Sequence, residues 1–277
     1  MTAELNATLT ARSDLHHGLL IIRVQPDTPP PPFKPGQYAV LGLPRSAARS
    51  PLADVDLPAE ENGEATPPDK LIKRAYSISS SSRQGEFLEF FVALVRSGAL
   101  TPRLFALNQG DRLFLGPKIV GMFTLDEAPR GSDIVLIATG TGLAPYISML
   151  RSGYDFTARR TVVIHAARNS WDLGYRNELE ALAARWPDFH YLTIISDPHR
   201  EPAWTGPVGL VYEFFNNGTV ERLLNHAVEP ADTAVFLCGN PLMVAGMEEL
   251  LGPRQFRKHS RKEPGQLFVE EYWKDRD

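Results

Sequence analysis

The sequence predicts two successive folds in one chain: an N-terminal six-stranded antiparallel barrel, then a doubly wound parallel sheet flanked by helices. Short strand-like segments between turn signals fill the first half. A wholly apolar run at 134–138 opens the second, and helical and strand-like patterns alternate after it. At 277 residues the chain has room for two separate cores. The divide is expected in Asp126-Glu127-Ala128-Pro129-Arg130-Gly131, giving domains 1–128 and 129–277.

Six strands are expected in the first domain, at 7–11, 19–24, 38–43, 75–79, 87–95 and 112–115. Pro35-Gly36, Ser97-Gly98 and Gln109-Gly110-Asp111 punctuate them. Several alternate apolar with polar residues, as a barrel with one buried face requires. Between 44 and 69 prolines and acids interrupt the pattern, which reads as a long mobile loop. In the second domain 134–138 is a strand of the kind buried on both faces of a parallel sheet. Further strands are expected at 162–166, 191–195 and 234–238, and helices at 144–150, 173–186, 220–226 and 242–251.

Composition narrows the function. With 43% apolar and 22% charged residues the chain is neither disordered nor fibrous. One cysteine, Cys238, excludes a disulfide framework and a four-thiolate iron–sulfur cluster; seven scattered histidines without ligand spacing predict no metal site. No membrane-spanning run and no signal peptide are read, so a cytoplasmic protein is expected. The net charge of −4 argues against nucleic acid. Its distribution is uneven: Asp54, Asp56, Glu60, Glu61, Glu64 and Asp69 crowd a segment without a base, opening the possibility of a basic face shielded by an acidic loop.

Two runs suggest cofactor grips. In Arg74-Ala75-Tyr76-Ser77, strand alternation puts Arg74 and Tyr76 on one face. A flavin needs a cation for its pyrophosphate, an aromatic plane for its ring and small donors between, although an edge-strand Arg and Tyr with no ligand read the same way. Ser97-Gly98-Ala99-Leu100-Thr101-Pro102-Arg103-Leu104 opens a helix whose amides suit a phosphate. Thr139-Gly140-Thr141-Gly142 follows the apolar strand and precedes Ala144-Pro145, with proline in the first helical turn. A glycine turn at that end of a parallel strand suits a dinucleotide. Cys238-Gly239-Asn240-Pro241 ends another strand at the same rim, where the cysteine by itself reads as a buried structural residue.

With Phe33-Lys34-Pro35-Gly36-Gln37, Leu88-Glu89-Phe90-Phe91, His165-Ala166-Ala167-Arg168 and Val269-Glu270-Glu271-Tyr272-Trp273, these runs resemble the ferredoxin–NADP reductases, and more closely their bacterial branch. The resemblance implies an FAD-dependent oxidoreductase that exchanges hydride with NADP(H) and single electrons with ferredoxin or flavodoxin, as a monomer. It implies that Arg74 holds the FAD pyrophosphate, Tyr76 stacks on the isoalloxazine and Ser77 hydrogen-bonds the flavin beside Ala75. Phe91, Val92 and Ala93, the turn Ala99, Leu100 and Thr101, and Thr124 would complete that site, with Tyr272 and Trp273 covering the flavin or its adenine. Thr139, Gly140, Thr141 and Gly142 would hold NADP(H) with Gly239, Asn240 and Met243, while Cys238 approaches the nicotinamide. Ser77 with Glu270 or Glu271 is a proton relay to be tested. Arg168 matches the cation for the 2′-phosphate, but Asp197 and Pro207 stand where relatives carry further arginines, so NADH remains open. The run Arg254, Arg257, Lys258, His259, Arg261 and Lys262 reads as a solvated helix face or as a docking surface for the acidic partner. An NADH-dependent reductase of an oxygenase system and a flavoprotein subunit of a larger complex are the alternative readings, and a binding module that has lost its flavin is a third.

Overall fold

A computed structural model describes residues 5–55, 60, 61, 64, 65, 67 and 69–271. Its contacts form two compact units, residues 1–122 with 147–152, and residues 123–146 with 153–277.

The first unit is a six-stranded antiparallel sheet built from β1 (Ala7–His16), β2 (Leu19–Pro26), β3 (Tyr38–Pro44), β6 (Leu71–Ser77), β7 (Leu88–Ala93) and β8 (Arg112–Leu115). Their order is β6-β3-β8-β1-β2-β7, and an antiparallel bridge between Ile78 and Phe90 joins the two ends of the sheet into a barrel. Alternation builds the interior: Leu20, Ile22 and Val24 of β2 and Leu88, Phe90 and Val92 of β7 point inward and are buried. β1 runs past its expected end to His16 because register shifts after Leu9 and Asp14 let it bend while staying paired with β2. β6 lies earlier than expected and ends at Ser77, since Ile78 already contributes to closure.

The stretch 45–55, expected as the start of a loose loop, is tied to the barrel. Arg45 N–H donates to Lys70 O, Ser50 N–H to Pro102 O, and the Arg49 guanidinium to Gly98 O. Beyond it β4 (Glu60–Glu61) and β5 (Glu64–Ala65) pair as a short hairpin. The helix expected at 97–104 is only α1 (Thr101–Leu104).

The second unit is a five-stranded, wholly parallel sheet of β9 (Asp133–Thr139), β10 (Thr161–Ala167), β11 (Phe189–Ile195), β12 (Thr233–Gly239) and β13 (Leu267–Glu271). Its order, β11-β10-β9-β12-β13, is a doubly wound 3-2-1-4-5 arrangement whose direction reverses between β9 and β12. Its helices are α3 (Arg176–Arg185), α4 (Glu213–Asn216), α5 (Thr219–Leu224) and α6 (Pro241–Leu251), while α2 (Ala144–Arg151) starts in this unit and counts with the first from residue 147 on. On one face Phe214, Phe215, Val220, Leu224, Val244 and Met247 pack against Val135, Ile137, Val235 and Leu237.

Two expectations need correction here. α3 starts at Arg176 rather than 173, because Tyr175 before it sits at φ 58, in the left-handed region. The basic run at 254–262 is not a helix face. Arg254 ends a 3-10 turn, Gln255 breaks the chain at φ 65, and the remaining cations follow in an irregular segment.

Candidate functional site

On β6 the register against β3 pairs Arg74 with Leu41 and Tyr76 with Ala39. Both therefore share the face that Ile72 presents to the barrel core, with Ala75 and Ser77 on the other. Tyr76 is half-buried with its ring edge-on to Phe90 at 6.5 Å. Burial raises its phenol pKa and Arg74 offsets only part of that, so the hydroxyl is protonated at neutral pH. Arg74 is exposed, and among the described residues its guanidinium donates to Lys73 O and forms no ion pair. Ser77 is buried.

The chain after β7 is fastened by two side chains. Thr101 Oγ1 accepts from Val95 N–H and donates to Val95 O, so this hydroxyl braces its own loop and only the Thr101 backbone is available to a ligand. Arg103, buried within the barrel unit, donates to Ala99 O at 2.6 Å and to Arg45 O. Leu100 belongs to the core and Phe91 and Val92 are buried, which also leaves their backbones as the usable part. Glu89, 3% exposed, accepts from Arg23 at 2.9 Å and from Arg151 at 2.6 Å; Arg151 also donates to Ser79 O, and Ser148 donates to Ser80 O. Sequence reasoning missed Arg103 and Glu89. A single buried charge leaves no periodic signal, although Glu89 between Leu88 and Phe90 was an acid in an apolar run.

In the second unit the C-terminal ends of β9 and β12 border the switch point, where open α/β sheets bind ligands. Thr139-Gly140-Thr141-Gly142 leaves β9 as a 3-10 turn and runs into α2. The two strand ends touch. Thr139 Oγ1 accepts from Asn240 N–H at 2.7 Å, and a Cβ on Gly142 would lie 2.1 Å from Cys238 O. A Cβ on Gly239, at φ +133, would lie 2.2 Å from Thr139 Oγ1. Only glycine permits both approaches. Asn240 caps α6 by accepting from Leu242 N–H, and Pro241 follows at its first position. Met243, expected near the nucleotide, contributes its side chain to the sheet–helix core. Cys238 is fully buried opposite Glu270 of β13, and Glu271 stands opposite Gly239. Thr124 is buried and belongs to this unit.

Two polar pairs flank the rim. His165 on β10 is fully buried, with Nε2 at 3.1 Å from Gly140 O and Nδ1 at 3.2 Å from the Tyr191 hydroxyl of β11. Burial drives its pKa down to about 4 despite the bond to Gly140. Arg168, just past β10, is exposed and binds the Asp197 carboxylate at 3.1 Å. Asp197 N–H in turn donates to Arg168 O. A cavity of about 890 Å³ opens elsewhere, at the N-terminal ends of β12 and β13, where Glu229, Pro230 and Gln266 line it. Tyr272 and Trp273 lie outside the described residues. Among the described residues there is no cluster of His, Cys, Asp and Glu placed to hold a metal ion, and no helix long and apolar enough to cross a membrane.

A closed antiparallel barrel carrying a cation and an aromatic ring on one strand face, in one chain with a doubly wound sheet that ends in glycine turns at its switch point, defines a flavin- and nicotinamide-type oxidoreductase. Residues 136–249 match the oxidoreductase NAD-binding domain. The flavodoxin/ferredoxin–NADP reductase of Buchnera aphidicola subsp. Baizongia pistaciae is 32% identical over 249 residues, covering 89% of this chain and 90% of its own. That of Escherichia coli K12 is 34% identical over 245 residues, covering 87% and 88%. This chain belongs to the flavodoxin/ferredoxin–NADP reductase family. Among solved structures, a ferredoxin NADP+ reductase from Neisseria gonorrhoeae with bound FAD and NADP shares the fold, with a TM-score of 0.77 at 24% identity over 97% of this chain and 98% of its own.

Proposed function

We propose that this chain is an FAD-dependent reductase that exchanges hydride with NADP(H) and single electrons with a ferredoxin or flavodoxin. The observation that carries the reading is the switch point of the parallel sheet, bordered by two strands that both end in glycine turns, in a member of this family. The barrel unit is assigned to FAD and the parallel-sheet unit to NADP(H).

The residues present fit FAD. Arg74 supplies a cation that no carboxylate neutralises among the described residues, and Tyr76 supplies a braced aromatic plane on the same strand face. Arg74 is assigned to the pyrophosphate, Tyr76 to the isoalloxazine, and Ser77 to a flavin hydrogen bond. The backbones of Phe91, Val92 and Ala93 and of Ala99, Leu100 and Thr101 are assigned to the rest, and Arg103 holds the latter turn in shape. Thr139 to Gly142, Gly239 and Asn240 are assigned to NADP(H), Arg168 to its 2′-phosphate and Cys238 to the nicotinamide side. Thr124, Tyr272 and Trp273 are assigned to the flavin's surroundings. When bound, FAD supplies the exchange between hydride and single-electron chemistry. The chain's own task is to orient the reactants and exclude water, and no side-chain acid or base is required for that.

The Arg168–Asp197 pair favours a second reading at one point, the nucleotide. A carboxylate already bound to the phosphate-gripping cation works against a 2′-phosphate, which favours use of NADH. Loading the purified chain with FAD and titrating it anaerobically with NADPH and with NADH tests both. Bleaching of bound FAD by NADPH, followed by reduction of ferredoxin or flavodoxin, is expected. In Arg74→Leu, FAD affinity should fall roughly 10- to 100-fold, the worth of a hydrogen bond to a charged group. A chain that takes up no FAD, or whose bound FAD is bleached by neither nucleotide, rejects the proposal.

A further inference from the structure

The two ends of the barrel sheet, β6 and β7, are not ladder neighbours. They meet at one antiparallel bridge, Ile78 to Phe90, with Ser79 N–H donating to Glu89 O beside it at 2.8 Å. Followed toward β6 and along β7, that register sets Ser77 across from Phe91 and Tyr76 across from Val92, a stretch that no ladder joins among the described residues. Those are the two runs assigned to FAD. The seam at Ile78 therefore governs the spacing between them.

Side chains close the other side of the bridge. The carboxylate of Glu89, itself 3% exposed, accepts from Ser79 Oγ at 3.4 Å and from the Arg151 guanidinium at 2.6 Å. Arg151 also donates to Ser79 O at 3.1 Å, and Glu89 N–H donates to Ser80 Oγ at 3.1 Å. Ser148 Oγ donates to Ser80 O at 2.8 Å, and Ser82 N–H donates to Ser152 Oγ at 2.9 Å. Residues 148, 151 and 152 are three and four apart, the spacing of one helix face, so the end of α2 grips the chain that leaves Ser77. A buried ion pair is a poor source of stability, because an apolar pair of the same volume serves as well; its better-attested use is to select one arrangement. Here the arrangement selected is the closed seam.

We propose that Arg151, acting through Glu89, is a positioning residue for the flavin: it latches the chain after Ser77 onto β7 and so sets the gap between Tyr76 with Ser77 and the backbone of Phe91 to Ala93. This rests on the reading that the barrel unit binds FAD. The test measures the FAD dissociation constant by fluorescence and the visible bands of bound FAD, on protein whose folded fraction is known from circular dichroism. Arg151→Leu leaves Glu89 its second partner, Arg23, so no buried charge is stranded. It should weaken FAD about tenfold, the worth of about one charge-assisted hydrogen bond, and shift the bands. Arg151→Lys keeps the charge and should recover most of the loss. Glu89→Gln should also weaken FAD, and the double variant Glu89→Gln with Arg151→Leu should lie within about twofold of the weaker single one, as residues acting together do. Leu113→Val is the stability control: it thins the core on β8, in the middle of the strand order, and should leave FAD affinity within about twofold. Unchanged FAD affinity in Arg151→Leu overturns the proposal, as do fully additive losses in the double variant. An equal loss in Leu113→Val also overturns it, since any weakening of the barrel would then suffice. A folded wild-type protein that takes up no FAD instead refutes the assignment of the barrel unit.

Discussion

Acid should destabilise the second unit through His165, and the size of the effect follows from its surroundings. The imidazole is fully buried, and its pKa falls from the ordinary 6.5 to about 4. At about 1.4 kcal/mol per pH unit, neutral His165 in the folded state is worth about 3 kcal/mol relative to the unfolded chain. Because the folded pKa is depressed, the unfolded chain binds the extra proton first. The contribution is fully present above pH 6.5 and is lost as pH falls from 6.5 toward 4. His165→Gln cannot titrate, so subtracting its urea-unfolding free energy from that of the wild type, both FAD-loaded, cancels the carboxylates common to the two. The wild-type advantage should shrink by about 3 kcal/mol between pH 7 and pH 4. A difference that stays flat over that interval refutes the reasoning. Nitrogen-15 NMR gives a second check, with the Nε2–H tautomer expected and no titration of this ring above pH 5. His226 supplies the opposite sign. Burial opposes its charge, but both ring nitrogens face acceptors, Ala227 O at 2.7 Å and the Asp133 carboxylate at 2.9 Å, and these raise its pKa. Its contribution is present below pH 6.5 and fades as pH rises through the raised value, so His226→Gln should narrow the gap to wild type on the alkaline side.

Alanine at Gly142 or Gly239 should abolish NADP+ binding and cost more than about 4 kcal/mol, since each new Cβ meets an immovable strand end; normal NADP+ difference spectra in either variant would contradict this. Removing the Glu89 carboxylate as Glu89→Ala should cost the barrel about 2 kcal/mol in chemical denaturation, because Arg23 and Arg151 each lose a charge-assisted hydrogen bond. A change below about 1 kcal/mol would show that water and the remaining partners replace the carboxylate at both guanidiniums.

Local order was legible in the sequence. The apolar run at 134–138 is the buried strand β9, the alternation around Arg74 and Tyr76 does put both on one face, and 112–115 is β8 as read. Each of these depends on residues a few positions apart, whose spacing alone sets which side of a strand they face. β13 escaped notice because a five-residue strand ending in Glu270 and Glu271 has neither apolar continuity nor alternation; only its place beside β12 makes it a strand. α4, four residues long, is equally below the reach of a helical period.

The remainder was decided by tertiary structure. The glycines of Thr139-Gly140-Thr141-Gly142 and of Cys238-Gly239 could be seen as turn residues, but not that each makes room for the other's strand end. Arg103 and Glu89 stand within sequence runs that do not mark them as buried; tertiary contacts bury Arg103 against Ala99 O and Arg45 O, and Glu89 between Arg23 and Arg151. His165 was noted only within a motif, while its two partners stand twenty-five residues before it and twenty-six after. Periodicity records which face a side chain takes. Strand order decides what waits on that face, and strand order is set by which sheets close and which helices cover them, a property of the whole chain rather than of any window along it.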